Sequence, residues 1–294
     1  MTRALVFAVM LSGCAHAPLA VEPVRGKAFW LALRDAKFAL PAGESREAIL
    51  KDAESLVDAE DPALRDDVGY GLAVAWVYRE HALEAPALIA FTTHLQQRMI
   101  DRQKPVLGRS FSALSLSIIA AAELQKPVLS QAQFDALLDA ATDELVLETD
   151  LRGHDTTLGW IHATAHTADL RKFLARDDRL SGLQQDRITN AVLLRLSHGP
   201  AFTWGEEERI AGVLRSLAMR KDARLDVFTA WLMTLDPAWK ALWARPQLDR
   251  DAYVQLSNVK QVLRALYALL SASEHTPPLD VLREKLLEVV VGLQ

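Results

Sequence analysis

Two histidines and an aspartate form a polar stripe in the otherwise apolar segment 155–170. His162, His166 and Asp169 are spaced i, i+4 and i+7, so on a helix they project from one side. The apolar periodicity around them predicts a helix over residues 159–174. Two imidazoles one helical turn apart are how zinc-binding helices present their ligands. The stripe is therefore a candidate polar site, and a divalent metal held by His162 and His166 is its most specific chemical interpretation.

Helix geometry limits that metal site. Between His162 and Asp169 a helix rises about 10.5 Å, whereas metal ligands lie about 2 Å from the ion. The three residues therefore cannot easily share one metal, and a further ligand must come from elsewhere in the fold. Ala163 stands where zinc metalloproteases carry the glutamate general base, which argues against protease chemistry. The candidates for the further ligand are Asp155, His198, Glu206 and Glu207.

The same residues also have a purely structural interpretation. Buried histidines are normally hydrogen-bonded, and Asp169 lies one turn after His166, where its carboxylate could fix the tautomer of that ring. The sequence leaves both interpretations open. It therefore identifies no catalytic residue, and it implies no cofactor beyond the possible divalent metal.

A second polar motif, Trp-Gly-Glu-Glu-Glu-Arg, occupies residues 204–209. Thr203 and Glu206 have capping-box spacing, and acidic residues suit the positive end of a helix dipole. The motif therefore predicts the start of a helix. Arg209 could pair with Asp169, which would join the two motifs into one polar network.

Together the two motifs resemble a known protein family. The pattern Gly159-Trp160-x-His162-x-x-x-His166-x-x-Asp169, followed by the motif at residues 204–209, is similar to a bacterial domain-of-unknown-function family, family 2785, over roughly residues 56–220. The resemblance implies an all-helical fold. It implies no activity, because none is assigned to that family.

Helix signals dominate the rest of the chain. Alanine- and leucine-rich runs show three- and four-residue spacing, and about a dozen helices joined by short turns predict an all-α fold. We expect antiparallel helical hairpins stacked as a HEAT-like superhelix, with a compact α/α bundle as the alternative, in one all-helical domain over residues 27–294. The helix starts are indicated by Asp61-Pro62, Asp236-Pro237 and Thr276-Pro277 and by the capping-box pairs Ser130 with Gln133 and Ser181 with Gln184.

The only cysteine, Cys14, closes the run Leu-Ser-Gly-Cys behind a short apolar stretch. This run resembles the lipobox of bacterial lipoproteins, in which the cysteine is acylated after the preceding segment is removed. The charged start, the apolar stretch and the small residues are the three parts of a signal peptide, and about eight apolar residues are too few to span a membrane. We expect residues 1–13 to be the signal peptide and residues 14–26 to be the acylated cysteine and a spacer.

These features predict a protein of the cell envelope that is tethered to the membrane by lipid. Two or three acyl chains anchor a protein stably, because each buried methylene contributes about 0.8 kcal/mol. Ala15, rather than an aspartate, follows Cys14. By resemblance to other lipoproteins, this favours the periplasmic side of the outer membrane if the cell is Gram-negative.

Charge narrows the possible partners of the chain. It carries 33 basic and 38 acidic residues, a net charge of −5, and loses one more positive charge with residues 1–13. A mildly acidic chain argues against nucleic acid as a partner. We expect a helical scaffold or binding module that takes an envelope protein or peptide. The alternative is a metal-assisted hydrolase that uses His162 and His166.

Overall fold

The computed structural model describes residues 25–293, so Cys14 and the expected signal peptide lie outside the described residues. Within this range the chain forms twelve α-helices and one short antiparallel sheet, and the all-α prediction is confirmed. The helices are α1 (Lys27–Asp35), α2 (Arg46–Ala53), α3 (Ala85–Ile100), α4 (Val106–Glu123), α5 (Gln131–Leu147), α6 (Ala163–Leu174), α7 (Gly182–Leu196), α8 (Glu206–Ala218), α9 (Asp226–Leu232), α10 (Leu235–Trp243), α11 (Arg250–Ser271) and α12 (Pro277–Gly292). The strands are β1 (His154–Asp155) and β2 (Gly159–Trp160).

Three further helical stretches connect α2 to α3. They are a 3-10 helix at Glu54–Asp58 and two π-helical stretches at Ala63–Tyr70 and Ala73–Arg79. Asp61 caps the first π-helical stretch as predicted, because its Oδ1 accepts from the Ala63 N–H at 3.0 Å. The π-helical hydrogen-bond pattern was not expected from the sequence, which shows ordinary helix signals there.

Two of the predicted capping boxes are confirmed, at the starts of α5 and α7. Ser130 and Gln133 bond reciprocally, and so do Ser181 and Gln184. The third prediction, a box between Thr203 and Glu206, is confirmed in one half only. The Glu206 carboxylate accepts the N–H group of Thr203 and also that of Trp204. However, Gly205 precedes α8 with a left-handed backbone (φ 85°), and no side chain caps this helix start.

Of the two remaining helix starts that were predicted from a proline, one is confirmed and one is displaced. Helix α12 begins at Pro277 as predicted. Helix α10 begins at Leu235, one residue before Asp236, so Asp236 lies in the first turn and pairs with Lys240 at 2.7 Å instead of capping the helix. A helix start read from a single Asp-Pro pair is therefore displaced by two residues here.

Helices α4, α6, α8 and α11 pack in series and form one layer of the domain. Helices α3, α5 and α7 pack against this layer. Ser110, near the start of α4, bonds His166, near the start of α6, while Glu123, at the end of α4, bonds Arg179, just beyond the end of α6. These two helices are therefore parallel. The finer expectation of a HEAT-like superhelix rather than a compact bundle stays a prediction.

The polar groups described below lie at the two ends of this layer. We call the end where α4, α6 and α8 begin the amino end, and the end where they finish the carboxyl end. Helix α4 lies at the centre of the core, with every residue buried except Leu114. It is the one helix of the described residues that is long and apolar enough to cross a membrane, but 94 % of it is buried inside the fold. It is therefore the core helix of this domain.

Candidate functional site

A short hairpin precedes α6 at the amino end of the layer. In it, His154 pairs with Trp160 and Asp155 with Gly159. Asp155 holds the turn, because its Oδ1 accepts the N–H groups of Thr157 at 2.8 Å and Leu158 at 3.0 Å. Residues 159–162 are therefore not helical, and the predicted helix over residues 159–174 begins only at Ala163.

His162 sits at the junction of the hairpin and α6 with a left-handed backbone (φ 50°, ψ 33°). The prediction that His162 and His166 share one helix face is therefore wrong. A non-glycine residue in this conformation costs about 1–2 kcal/mol, and such residues concentrate at functional sites. The two rings still meet edge to face, with centroids 5.6 Å apart. Thus the hairpin, rather than helical periodicity, brings the histidines together.

The His162 ring is enclosed between Trp160 and Glu206. It stacks on the Trp160 ring with centroids 5.0 Å apart, and its Nε2 lies 3.6 Å from Oε1 of Glu206. This nitrogen is buried and forms no hydrogen bond within the described residues. Burial lowers the pKa of His162, although the Glu206 carboxylate opposes that shift. The ring is therefore biased to the neutral form and keeps one polar atom without a hydrogen bond.

His166 is held from the neighbouring helix α4. Its Nδ1 lies 2.8 Å from Oγ of Ser110, and that hydroxyl also donates to the Ile161 carbonyl. Because the hydroxyl has one hydrogen to donate, we assign the Nδ1 proton to His166. Burial lowers the pKa of His166 well below its ordinary value. Ser110 therefore fixes the tautomer, and the prediction that Asp169 does so is wrong.

Asp169 instead joins α6 to α8. Its carboxylate accepts from Lys172 at 2.6 Å and from Arg209 at 3.1 Å. The predicted pairing of Arg209 with Asp169 is thus confirmed. The positive charge of Arg209 also lowers the pKa of both His162 and His166, so the two motifs form one electrostatic network.

Three aromatic side chains line the outer part of the site. The Trp160 and Trp204 side chains are 42 % and 47 % exposed, and their rings meet edge to face at 5.9 Å. The His154 ring contacts both, at 5.0 Å from Trp160 and 5.4 Å from Trp204. Trp204 lies so close to the backbone of Gly153 that a Cβ atom there would come within 2.2 Å of its Cδ1. Gly153 therefore permits the observed position of the Trp204 ring.

Two of these rings, His154 and Trp204, line an open groove of about 700 Å³. Its walls are residues 149–154, which lead into the hairpin, and residues 200–206, which lead into α8. Glu206 lies at its inner side, next to His162, and Trp204 lies along its edge. We call this cleft the aromatic groove. It falls within the size range of ligand sites.

Buried charges anchor the first wall of the aromatic groove. Glu148 accepts from Arg109 at 2.6 and 2.8 Å through one oxygen, and from the N–H groups of Thr149 and Asp150 through the other. Glu144, one turn earlier, is 1 % exposed, and burial raises its pKa to about 7. The wall therefore starts from a fixed point in the core.

The structure brings together most, but not all, of the predicted site residues. His162, His166, Asp169, Glu206 and Arg209 lie in one cluster at the amino end. Two candidates lie apart from it: Asp155 stays in the hairpin turn, where it also pairs with Arg152, and His198 is exposed on the loop after α7. Among the described residues, no three His, Cys, Asp or Glu side chains are placed to hold a metal ion.

Sequence reasoning missed four residues of the site. Ser110 carries no local signal, since its role depends on the parallel packing of α4 and α6. Trp160 and Trp204 belong to the two motifs, but the sequence did not indicate that their rings meet. His154 reaches them only through its pairing with Trp160 in the hairpin.

A family profile described as "Protein of unknown function (DUF2785)" matches residues 93–268. The chain belongs to this family. The matched region runs from within α3 to within α11 and contains the histidine cluster and both walls of the aromatic groove. No curated protein and no solved structure matches the chain.

Proposed function

We propose that this protein is a lipid-anchored binding module of the cell envelope, and that the aromatic groove is its ligand site. The observation that carries the proposal is the contact of the exposed Trp160 and Trp204 rings with each other and with His154, because Trp204 and His154 line an open cleft. Exposed clustered aromatic residues mark binding surfaces, and tryptophan is the residue most enriched among binding hot spots.

The groove suits an extended peptide segment of an envelope protein. Tryptophan rings offer a large apolar face with little conformational entropy to lose on binding. The walls of the groove also carry Thr149 and Thr203, whose side chains can donate and accept hydrogen bonds, and the charged pair Asp150 and Arg152. A peptide supplies both the apolar side chains and the backbone amides that such a mixed surface recognises.

The proposed anchor rests on the sequence alone. Acylation of Cys14 would place the domain beside a bilayer, at the end of a spacer of about twelve residues that reaches up to about 40 Å. On this proposal the groove is free to meet a partner in the envelope. Mass spectrometry of the mature protein tests the anchor: a diacylated Cys14 at the amino terminus is expected, and an intact residue 1–13 segment would contradict it.

The alternative function, a metal-assisted hydrolase, has one supporting observation. The unbonded Nε2 of His162 lies near the Glu206 carboxylate. Zinc content of the purified full-length chain tests this reading. Stoichiometric metal that is lost in His162→Gln and retained in His198→Gln would favour the hydrolase over the binding module.

Selection of peptides from a random displayed library tests the binding module directly. We expect peptides that bind the full-length chain and lose at least about 30-fold in affinity with Trp160→Ala or Trp204→Ala, the change typical of a hot spot. Trp243→Ala is the matched control, because Trp243 is 56 % exposed but lies on α10. Affinity that depends equally on Trp243, or a library without binders, would contradict the proposal.

A further inference from the structure

A second cleft lies between α7, α10 and α11 and has an apolar lining. Its volume is about 350 Å³, at the lower end of the range for small-molecule sites. It shares no lining residue with the aromatic groove. Its walls are formed chiefly by Leu193, Leu196, Trp231, Leu242, Leu256 and Val259. We call it the apolar pocket.

One charged side chain lines the apolar pocket within the described residues, that of Arg245. It is half exposed and therefore lies where the pocket opens to solvent. Its Nη1 pairs with Asp249, whose other oxygen caps α11 at the Ala252 N–H. Its Nε and Nη2 form no hydrogen bond within the described residues. These two donors are in position to bind an anionic group at the opening.

We propose that the apolar pocket binds the hydrocarbon chain of an anionic amphiphile, specifically a long-chain carboxylate. The chain lies between α7, α10 and α11, and the carboxylate binds Arg245 through Nε and Nη2. A methylene group fills about the volume of a water molecule, roughly 30 Å³, so the pocket has room for about a dozen carbons. The charge of Arg245 selects the carboxylate, because guanidinium groups match carboxylates with two parallel hydrogen bonds.

A chain-length series tests the hydrocarbon part of this proposal. Calorimetry is carried out with the full-length chain carrying Cys14→Ser, which has no acyl chain of its own, and with carboxylates of 8, 10, 12 and 14 carbons below their critical micelle concentrations. Each added methylene should tighten binding about fourfold. The gain should end near twelve carbons, where the pocket is full. Absence of saturable binding would overturn the proposal.

Two variants locate the site. Ala241→Phe places a ring in the pocket, whereas Ala28→Phe adds the same ring to an exposed position on α1. We expect dodecanoate binding to fall at least tenfold with Ala241→Phe and to be unchanged with Ala28→Phe. Equal effects of the two variants, or none, would place the ligand elsewhere and overturn the assignment.

The headgroup is tested separately. Dodecanol and dodecyltrimethylammonium carry the same chain without the negative charge, and both should bind at least tenfold more weakly than dodecanoate. Arg245→Gln should remove that difference while leaving dodecanol binding unchanged. Equal binding of dodecanol and dodecanoate to the unaltered chain would overturn the role of Arg245. Binding of phosphatidylglycerol vesicles with an affinity equal to dodecanoate and sensitive to Ala241→Phe would overturn the choice of a free carboxylate.

Discussion

The two ends of the helical layer treat their buried polar groups in opposite ways. At the carboxyl end, Arg179 donates to Asp177, to Glu123 at 3.0 Å and to the Leu129 carbonyl at 2.6 Å. Glu123 also accepts the N–H groups of Val128 and Leu129. Arg179, Glu123 and Asp177 therefore satisfy one another and the backbone groups around them. The exception is Arg171, one turn before the end of α6, whose Nε and Nη1 are buried without a hydrogen bond among the described residues.

At the amino end, the same helices begin beside groups that are not satisfied. His162 has a strained backbone and an unbonded Nε2, both histidines are biased to the neutral form, and Trp160 and Trp204 are half exposed. Strain and unsatisfied polar atoms persist only where the surrounding fold compensates for them. The comparison therefore assigns stability to the carboxyl end and binding to the amino end. The predictions below test that division.

The largest effect is expected at the carboxyl end, from Glu123→Ala. This variant removes the acceptor of two backbone N–H groups and one of the acceptors of Arg179, which keeps Asp177 and the Leu129 carbonyl, and Glu123 is only 3 % exposed. We expect the free energy of unfolding to fall by about 2–4 kcal/mol, because each buried N–H group left unsatisfied costs about 1–3 kcal/mol. Urea unfolding measures it, with Glu208→Ala, an exposed glutamate at the amino end, as a control that changes stability by about 1 kcal/mol or less. Similar losses in the two variants would remove the distinction between the ends.

The pH dependence of stability is the second test. Burial lowers the pKa of His166, so the unfolded chain takes up a proton near pH 6.5 while the folded chain does not. Stability from this residue is therefore present above pH 6.5 and is lost as the pH falls, by up to about 1.4 kcal/mol per pH unit. His166→Gln removes this loss and can still bond Ser110.

Glu144 acts in the opposite direction over the same pH interval. Its pKa is raised to about 7, so its contribution is largest at low pH and is lost as the pH rises toward 7. The measurement is therefore the difference in unfolding free energy between the unaltered chain and His166→Gln at pH 7.5, 6.5 and 5.5. A difference that stays constant with pH would show that folding does not lower the pKa of His166.

Replacement of His162 tests the backbone strain at the amino end. Alanine keeps the unfavourable left-handed conformation, whereas glycine adopts it at no steric cost. We therefore expect His162→Gly to be more stable than His162→Ala by about 1 kcal/mol, although glycine normally destabilises a chain. Thermal and urea unfolding of both variants measure this order. The reverse order would mean that His162 carries no strain.

The smallest expected effect comes from replacing a glycine by alanine, and its sign should differ between Gly212 and Gly153. Gly212 lies inside α8, where a new Cβ meets only the flexible Lys172 chain at 3.4 Å, so Gly212→Ala should raise stability by about 0.5–1 kcal/mol. Gly153→Ala should instead push Trp204 out of position, and tryptophan fluorescence should shift accordingly. If Gly153→Ala left both the spectrum and peptide binding unchanged, the aromatic groove would not depend on this close approach.

The sequence predicted the fold class because local signals agree along the chain. The boxes at Ser130 and Ser181 and the apolar helix α4 each follow from residues within one element. The predicted helix over residues 159–174 was wrong at its start, because residues 159–162 belong to a hairpin although the apolar spacing there is helical. Gly159, with φ 74°, closes a hairpin turn that the apolar spacing of the segment does not indicate.

The sequence predicted five members of the candidate site and one of the contacts that join them, but missed the other members and contacts. Asp169 and Arg209 are joined as expected, because a nearly buried carboxylate needs a cationic partner and α8 places Arg209 next to it. The partner of His166 could not be predicted, since Ser110 lies 56 positions away and is an ordinary small residue of a core helix. The meeting of Trp160 with Trp204 likewise depends on how two separate loops pack.

Because α4, α6 and α8 run parallel, the loops at their amino ends lie far from the arginine contacts at their carboxyl ends. The loop residues can therefore change without disturbing those contacts. Helix α4 has 18 residues, so about 27 Å lies between the arginine-rich contacts and the loops at residues 149–162 and 197–205. Substitutions in those loops leave the distant contacts intact. Relatives could therefore acquire new specificities by exchanging loop residues alone, and an engineer could graft other recognition loops onto the same helices.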